Sequence, residues 1–160
     1  MKHIKPFNES KDNLVEELQD FCETSLAYLL DEGYDIQVTL RDKVKYPGKQ
    51  HLIVSLGLPQ ETSTGYLAFR PYDGYRKFYW NDVKDYYIPF LQLLVRRYEL
   101  LPYLELQEAH TRDTAHVYVC FNTASGFRYL SLDQVINDKT FSQIQPLPLW
   151  GINLKILDKI

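Results

Sequence analysis

The chain is 160 residues long, 45% hydrophobic and 24% charged, with a net charge of −3. That size and balance suit one soluble globular domain, large enough to withdraw about 70% of its unfolded surface from water. No apolar run approaches the length of a membrane span, no signal peptide is present, and the missing basic excess argues against a protein built to grip a nucleic-acid backbone.

The expected compartment is the cytoplasm. Cys22 and Cys120, the two cysteines, fall in different predicted elements and read as isolated thiols rather than a disulfide. Charge is unevenly spread: residues 1–32 hold three lysines against eight acidic side chains, a balance of −5. The less usual feature is 13 tyrosines, several beside arginine or lysine. Tyrosine suits half-buried strands and also recognition surfaces that are apolar at one end and wet at the other.

Residues 1–9 have no periodicity and read as an arm leading to Ser10, the expected cap of a first helix running to about Leu30. Leu14, Leu18, Phe21, Cys22, Leu26 and Leu29 mark its apolar face, and Gly33 supplies a left-handed stop. Tyr34, Ile36, Val38 and Leu40 then alternate as a strand, and after a Pro47-Gly48 turn Leu52, Val54 and Leu56 alternate as its antiparallel partner. Residues 66–72 and 75–80 flank Asp73-Gly74, a strong hairpin signal because both turn residues tolerate positive φ.

Residues 79–101 read as the central helix. Val83, Tyr87, Phe90, Leu94 and Tyr98 form one buried stripe, with Asn81 the expected N-cap, acids in the first turns and Arg96 and Arg97 in the last. Pro89 removes one backbone donor and predicts a kink within a continuous helix, because the stripe keeps its phase across it. Residues 103–109 and 115–121 read as paired strands, 127–130 as another, and Ser131 with Gln134 as the capping box of a short helix to Ile136. Ile152, Leu154 and Ile156 close the chain as a last strand, expected at a sheet edge.

These elements predict a single α+β domain over residues 1–160. An antiparallel sheet of about six to eight strands carries two long helices on one face, and its other face is expected to be at least partly open. The order helix, strand, strand, strand recurs weakly in the two halves.

Two constellations are candidates for chemistry. Residues 66–80 interleave aromatic rings with cations, so Tyr66, Arg70, Tyr72, Tyr75, Arg76, Lys77 and Tyr79 are the candidate binding residues. Tyrosine and arginine are favoured at protein interfaces, and rings beside cations are also the pattern of single-strand nucleic-acid sheets. His110, Asp113 and His116 place three potential metal ligands around a predicted turn, where the plainer reading is a polar turn. No phosphate-cradling glycine loop and no cofactor fingerprint occurs, so no cofactor is expected.

The opening Met-Lys-His-Ile-Lys-Pro-Phe-Asn-Glu-Ser, the phrase from Phe21 to Tyr34 and the phrase from Trp80 to Leu91 together resemble short uncharacterised proteins of tailed bacteriophages. The resemblance implies a phage accessory or virion-associated protein, in the host cytoplasm or the virion, and brings no site residues with it. The order of elements is similar to that of small α+β secretion chaperones, which dimerise and bind a partner chain. A non-enzymatic module that binds a protein partner or itself is therefore the leading expectation, with a single-stranded nucleic-acid binder using residues 66–80 as the alternative.

Overall fold

The computed structural model describes residues 11–42, 50–59, 75–98, 117–138 and 144–157. The elements run α1 (Lys11–Ser25), α2 (Ala27–Asp31), β1 (Asp35–Asp42), β2 (Gln50–Pro59), β3 (Tyr75–Arg76), α3 (Trp80–Arg97), β4 (Val117–Thr123), β5 (Gly126–Leu130), α4 (Leu132–Ile136) and β6 (Leu149–Leu157). The fold is α+β: one antiparallel six-stranded sheet in the order β1-β2-β6-β4-β5, with β3 paired to the end of β2.

Alternation along the strands sends one set of side chains towards the helices. Ile36 and Val38 of β1, Leu52, Val54 and Leu56 of β2, Ile152, Leu154 and Ile156 of β6, and Val117, Val119 and Phe121 of β4 form one contiguous core with α1, α3 and α4. Each fully buried aliphatic or Phe side chain of this set contributes about 1.5–3 kcal/mol.

The expected stripe of α3 is buried throughout: Val83, Tyr87, Phe90, Leu94 and Tyr98 are all shielded, while Gln92 is exposed. The helix runs unbroken through Pro89, which sits on the exposed side. There water can hydrate the Asp85 carbonyl that proline leaves without its donor. The N-cap lies two residues before the expected one. Tyr79, not Asn81, is the N-cap, because the Asp82 carboxylate reaches back to accept the Tyr79 N–H at 2.8 Å.

The first helix is interrupted at Leu26 (φ −113°, ψ 27°), so α1 and α2 replace the single rod expected to Leu30. Leu14, Leu18, Cys22 and Leu26 are spaced by fours, and each such step turns the stripe by about 40°. The interruption falls where that drift has accumulated, and Leu29 beyond it is again buried. Ser131 and Gln134 form the expected capping box on α4, with the Ser131 N–H donating to Gln134 Oε1 at 2.9 Å and the Gln134 N–H to Ser131 Oγ at 3.1 Å.

One expectation about the sheet changes: β6 is not an edge strand. It pairs with β2 on one side and β4 on the other, and Ile152, Leu154 and Ile156 are at most 2% exposed. The face turned away from α1 and α3 buries Ile53, Ser55, Tyr118, Cys120 and Asn122, while Gln37, Thr39, Tyr129, Asn153 and Lys155 are only half-buried, so it is partly open as expected. The Ser55 hydroxyl there donates to Asn153 Oδ1 at 2.7 Å, giving a buried polar group its partner. At the side of the sheet, β1, outermost among the described strands, does not present a bare edge. Gln19 of α1 acts as a substitute strand, its Nε2 donating to the Ile36 carbonyl at 2.9 Å and its Oε1 accepting the Val38 N–H at 2.8 Å.

Cys22 and Cys120 are both free and buried, in the main core and in the cluster on the opposite face respectively. Of the expected recurrence, the first half is present as α1, α2, β1, β2 and β3, whereas the second half, with α3, β4 and β5, includes the 103–109 strand outside the described residues. The strand expected at 103–109, the Pro47-Gly48 and Asp73-Gly74 turns and the 66–72 strand lie outside the described residues. Among the described residues no helix is long and apolar enough to cross a membrane.

Candidate functional site

Where α2 ends, β1 begins and α3 starts, the chain forms a groove of about 400 Å³. Ligand sites typically span about 300–1,000 Å³. The local sequence dictates the first wall. Gly33, at φ +97°, closes α2 in a Schellman motif, its N–H donating to the Leu30 carbonyl at 3.1 Å and the Tyr34 N–H to the Leu29 carbonyl at 3.0 Å. The reversal at Gly33 brings Tyr34 beside Leu29 and leaves Tyr28 and Glu32 on the same wall.

A Cβ at Gly33 would meet nothing closer than 3.9 Å, so a side chain there has room but not the right backbone. Gly33→Ala is therefore expected to destabilise by about 1–2 kcal/mol through φ alone, read as a lower urea midpoint with an unchanged slope. A change within about 0.3 kcal/mol would contradict the left-handed stop.

The opposite wall comes from α3 and β3. Tyr86 stacks on Tyr28 with ring centroids 4.4 Å apart and planes 12° apart, although Tyr28 remains 52% exposed. Asp82 lines the groove one turn earlier, held there by its bond to the Tyr79 N–H. Arg76 enters from β3, paired through Leu58 to the end of β2. The segment after β3 is fixed where Phe78 and Leu149 exchange backbone hydrogen bonds of 3.0 and 2.7 Å, and Tyr34 meets the Phe78 ring edge-on at 5.3 Å.

The groove thus collects three phenols, one guanidinium and two carboxylates over an apolar floor of Leu29 and Leu58. The ion pairs among the described residues, Lys84 with Asp138 and Arg97 with Glu17, lie elsewhere, so none engages Arg76, Glu32 or Asp82. The hydrogen-bonding Tyr86 hydroxyl, and next the Glu32 carboxylate, push the Tyr28 phenol up to about 12. Partial burial, and then the Asp82 and Glu32 charges against the opposing pull of Arg76, push Tyr34 up to about 12 as well. At neutral pH both phenols keep their protons and can donate as well as accept.

Of the candidates named from sequence, Arg76 lies in this groove. Tyr79 is 46% exposed at the start of α3, and Lys77 lies over the Trp150 ring at 5.1 Å. Tyr75 is 4% exposed, so its ring faces the interior rather than a ligand. Tyr66, Arg70 and Tyr72 lie outside the described residues, as do His110, Asp113 and His116. Among the described residues no group of three or more metal-ligating side chains occurs.

Sequence reasoning missed Tyr28, Tyr34 and Tyr86. A usable signal was there: two tyrosines bracketing the helix stop at Gly33 are carried to one place by the reversal it forces. Compared with known proteins, the chain matches no family model, no curated protein and no solved structure.

Proposed function

We propose that this protein is a non-enzymatic interaction module that docks a partner protein chain in the groove between α2 and the start of α3. The observation that carries the reading is the convergence of Tyr28, Tyr34 and Tyr86 with Arg76, which makes no ion pair among the described residues. Tyrosine and arginine carry a disproportionate share of interface energy, and rigid rings lose little entropy on binding. The groove lies apart from the sheet, whose second face buries Ile53, Ser55, Tyr118, Cys120 and Asn122 and whose β1 edge is met by Gln19 at Ile36 and Val38. A phage accessory or virion-associated role, in the host cytoplasm or the virion, fits such a module and rests on the resemblance of the sequence phrases.

The test uses immobilised protein and lysates of phage-infected and uninfected bacteria. Tyr28 and Arg76 are both exposed, so the double variant Tyr28→Ala with Arg76→Ala is expected to keep the fold, which circular dichroism checks. A partner retained by the wild type is expected to fall about tenfold or more in the variant, as loss of an interface hot spot requires. Equal retention by both proteins refutes the groove as the docking site. A strict monomer by light scattering that retains nothing refutes the module.

A further inference from the structure

The charges and rings that line the groove narrow its ligand. Tyr28 carries a ring backed by Tyr86 and half open to solvent, which is the arrangement that holds a cation by its π-face. Glu32 follows one helical turn later, exposed and close enough to act on the Tyr28 phenol, and it forms no ion pair among the described residues. Arg76 lies against Gly33, its Nη2 3.9 Å from where a Cβ on that glycine would stand, and it acts on the Tyr34 phenol together with Asp82 and Glu32. The groove therefore offers an open aromatic face at Tyr28, two carboxylates and a single guanidinium fork, a lining with one more negative charge than positive.

We infer that the groove takes an arginine-bearing peptide segment, the ligand guanidinium lying on Tyr28 beside Glu32 and a carbonyl or carboxylate oxygen of the segment accepting from Arg76. The inference rests on the docking reading above and deepens it. Guanidinium suits the site better than ammonium because its planar, weakly hydrated cation stacks on a ring while its edge donates to a carboxylate. A purely anionic ligand would meet Arg76 but also face Glu32 and Asp82, whereas a purely apolar one would leave all three charges without partners.

Isothermal titration of the whole protein with three acetylated tripeptides bearing a free carboxylate tests the assignment: Gly-Arg-Gly, the same peptide with neutral citrulline for arginine, and Gly-Glu-Gly. The arginine peptide is expected to bind about fivefold to tenfold more tightly than the citrulline peptide, the difference one cation–π contact and one exposed ion pair together supply. Glu32→Gln should lower that ratio to the roughly twofold to fivefold that the cation–π contact alone supplies, and Arg76→Gln should weaken both peptides. Circular dichroism of the two variants checks that these exposed substitutions leave the fold unchanged. Equal affinity for arginine and citrulline, a preference for the glutamate peptide, or no measurable binding of any of the three overturns the inference. Partner retention that still depends on Tyr28 and Arg76 in any of those cases leaves the docking reading standing, so the two failures are distinguishable.

Discussion

Phe90→Ala is expected to destabilise the protein by about 3–5 kcal/mol, a large share of the roughly 5–15 kcal/mol by which such domains are stable. Phe90 sits at the middle of the α3 stripe and is 1% exposed. Its ring lies 6.2 Å from Phe21 of α1 and 5.5 Å from Tyr87, so it is a joint between the two long helices. Truncation would open a cavity that those neighbours cannot readily fill. Phe21 is already engaged edge-on with Tyr98 at 6.1 Å and lies under the Arg97 guanidinium at 5.0 Å. Gln92, two residues on and exposed, is the internal control, and Gln92→Ala should change stability by less than about 0.5 kcal/mol. Urea denaturation compares the variants, and a Phe90→Ala loss below about 1 kcal/mol would show that the two helices are not joined through this ring.

What could be read from the sequence was whatever repeats within one element. The α3 stripe, the capping box at Ser131 and Gln134, the stop at Gly33 and the alternation of β1, β2 and β4 depend on neighbours within a few residues, and each is present as expected. Lateral order in the sheet is a different kind of information. Ile152, Leu154 and Ile156 declare one apolar face, but nothing in them says that β2 and β4 will lie on either side, because those partners are distant in the chain. The same applies to Gln19, whose amide covers the edge of β1 from an α1 position that reads as merely polar.

The groove was legible only in part for the same reason. Arg76 stood out because rings flank it in sequence, yet its partners in space are Tyr28 and Tyr34 from around the α2 stop and Tyr86 from α3. Tyr75 looked equivalent to Arg76 by composition, and strand alternation separates them: Tyr75 turns inward and Arg76 outward. A count of aromatic residues near cations cannot make that distinction without the register.

Trp80→Ala is the second large effect, expected at about 3–5 kcal/mol, and it acts on the groove as well as on stability. Trp80 opens α3, is fully buried, and meets Tyr87 at 6.0 Å and Phe121 at 5.4 Å, both edge-on. It ties the start of the helix to β4. Its indole Nε1 donates to Asp138 Oδ1 at 3.1 Å, and Lys84 Nζ lies 3.4 Å from Asp138 Oδ2. Asp138 itself holds φ at 54°, a conformation aspartate tolerates better than most residues.

Trp80→Phe separates the ring from the bond, since it keeps most of the packing and removes the only donor of the indole. It should cost about 1–3 kcal/mol, with the ion pair to Lys84 adding little because both partners are partly exposed. If the indole bond contributes, Asp138→Ala, which removes the acceptor, will cost less in the Trp80→Phe background than in the wild type, with a coupling above about 0.5 kcal/mol in a double-mutant cycle; additive losses would assign the whole effect to packing. Because Trp80 fixes the helix turn that presents Asp82 and Tyr86, Trp80→Ala should also reduce partner retention under conditions where the variant is still folded. Trp80→Phe, which preserves the position of that turn, should leave retention near the wild-type level.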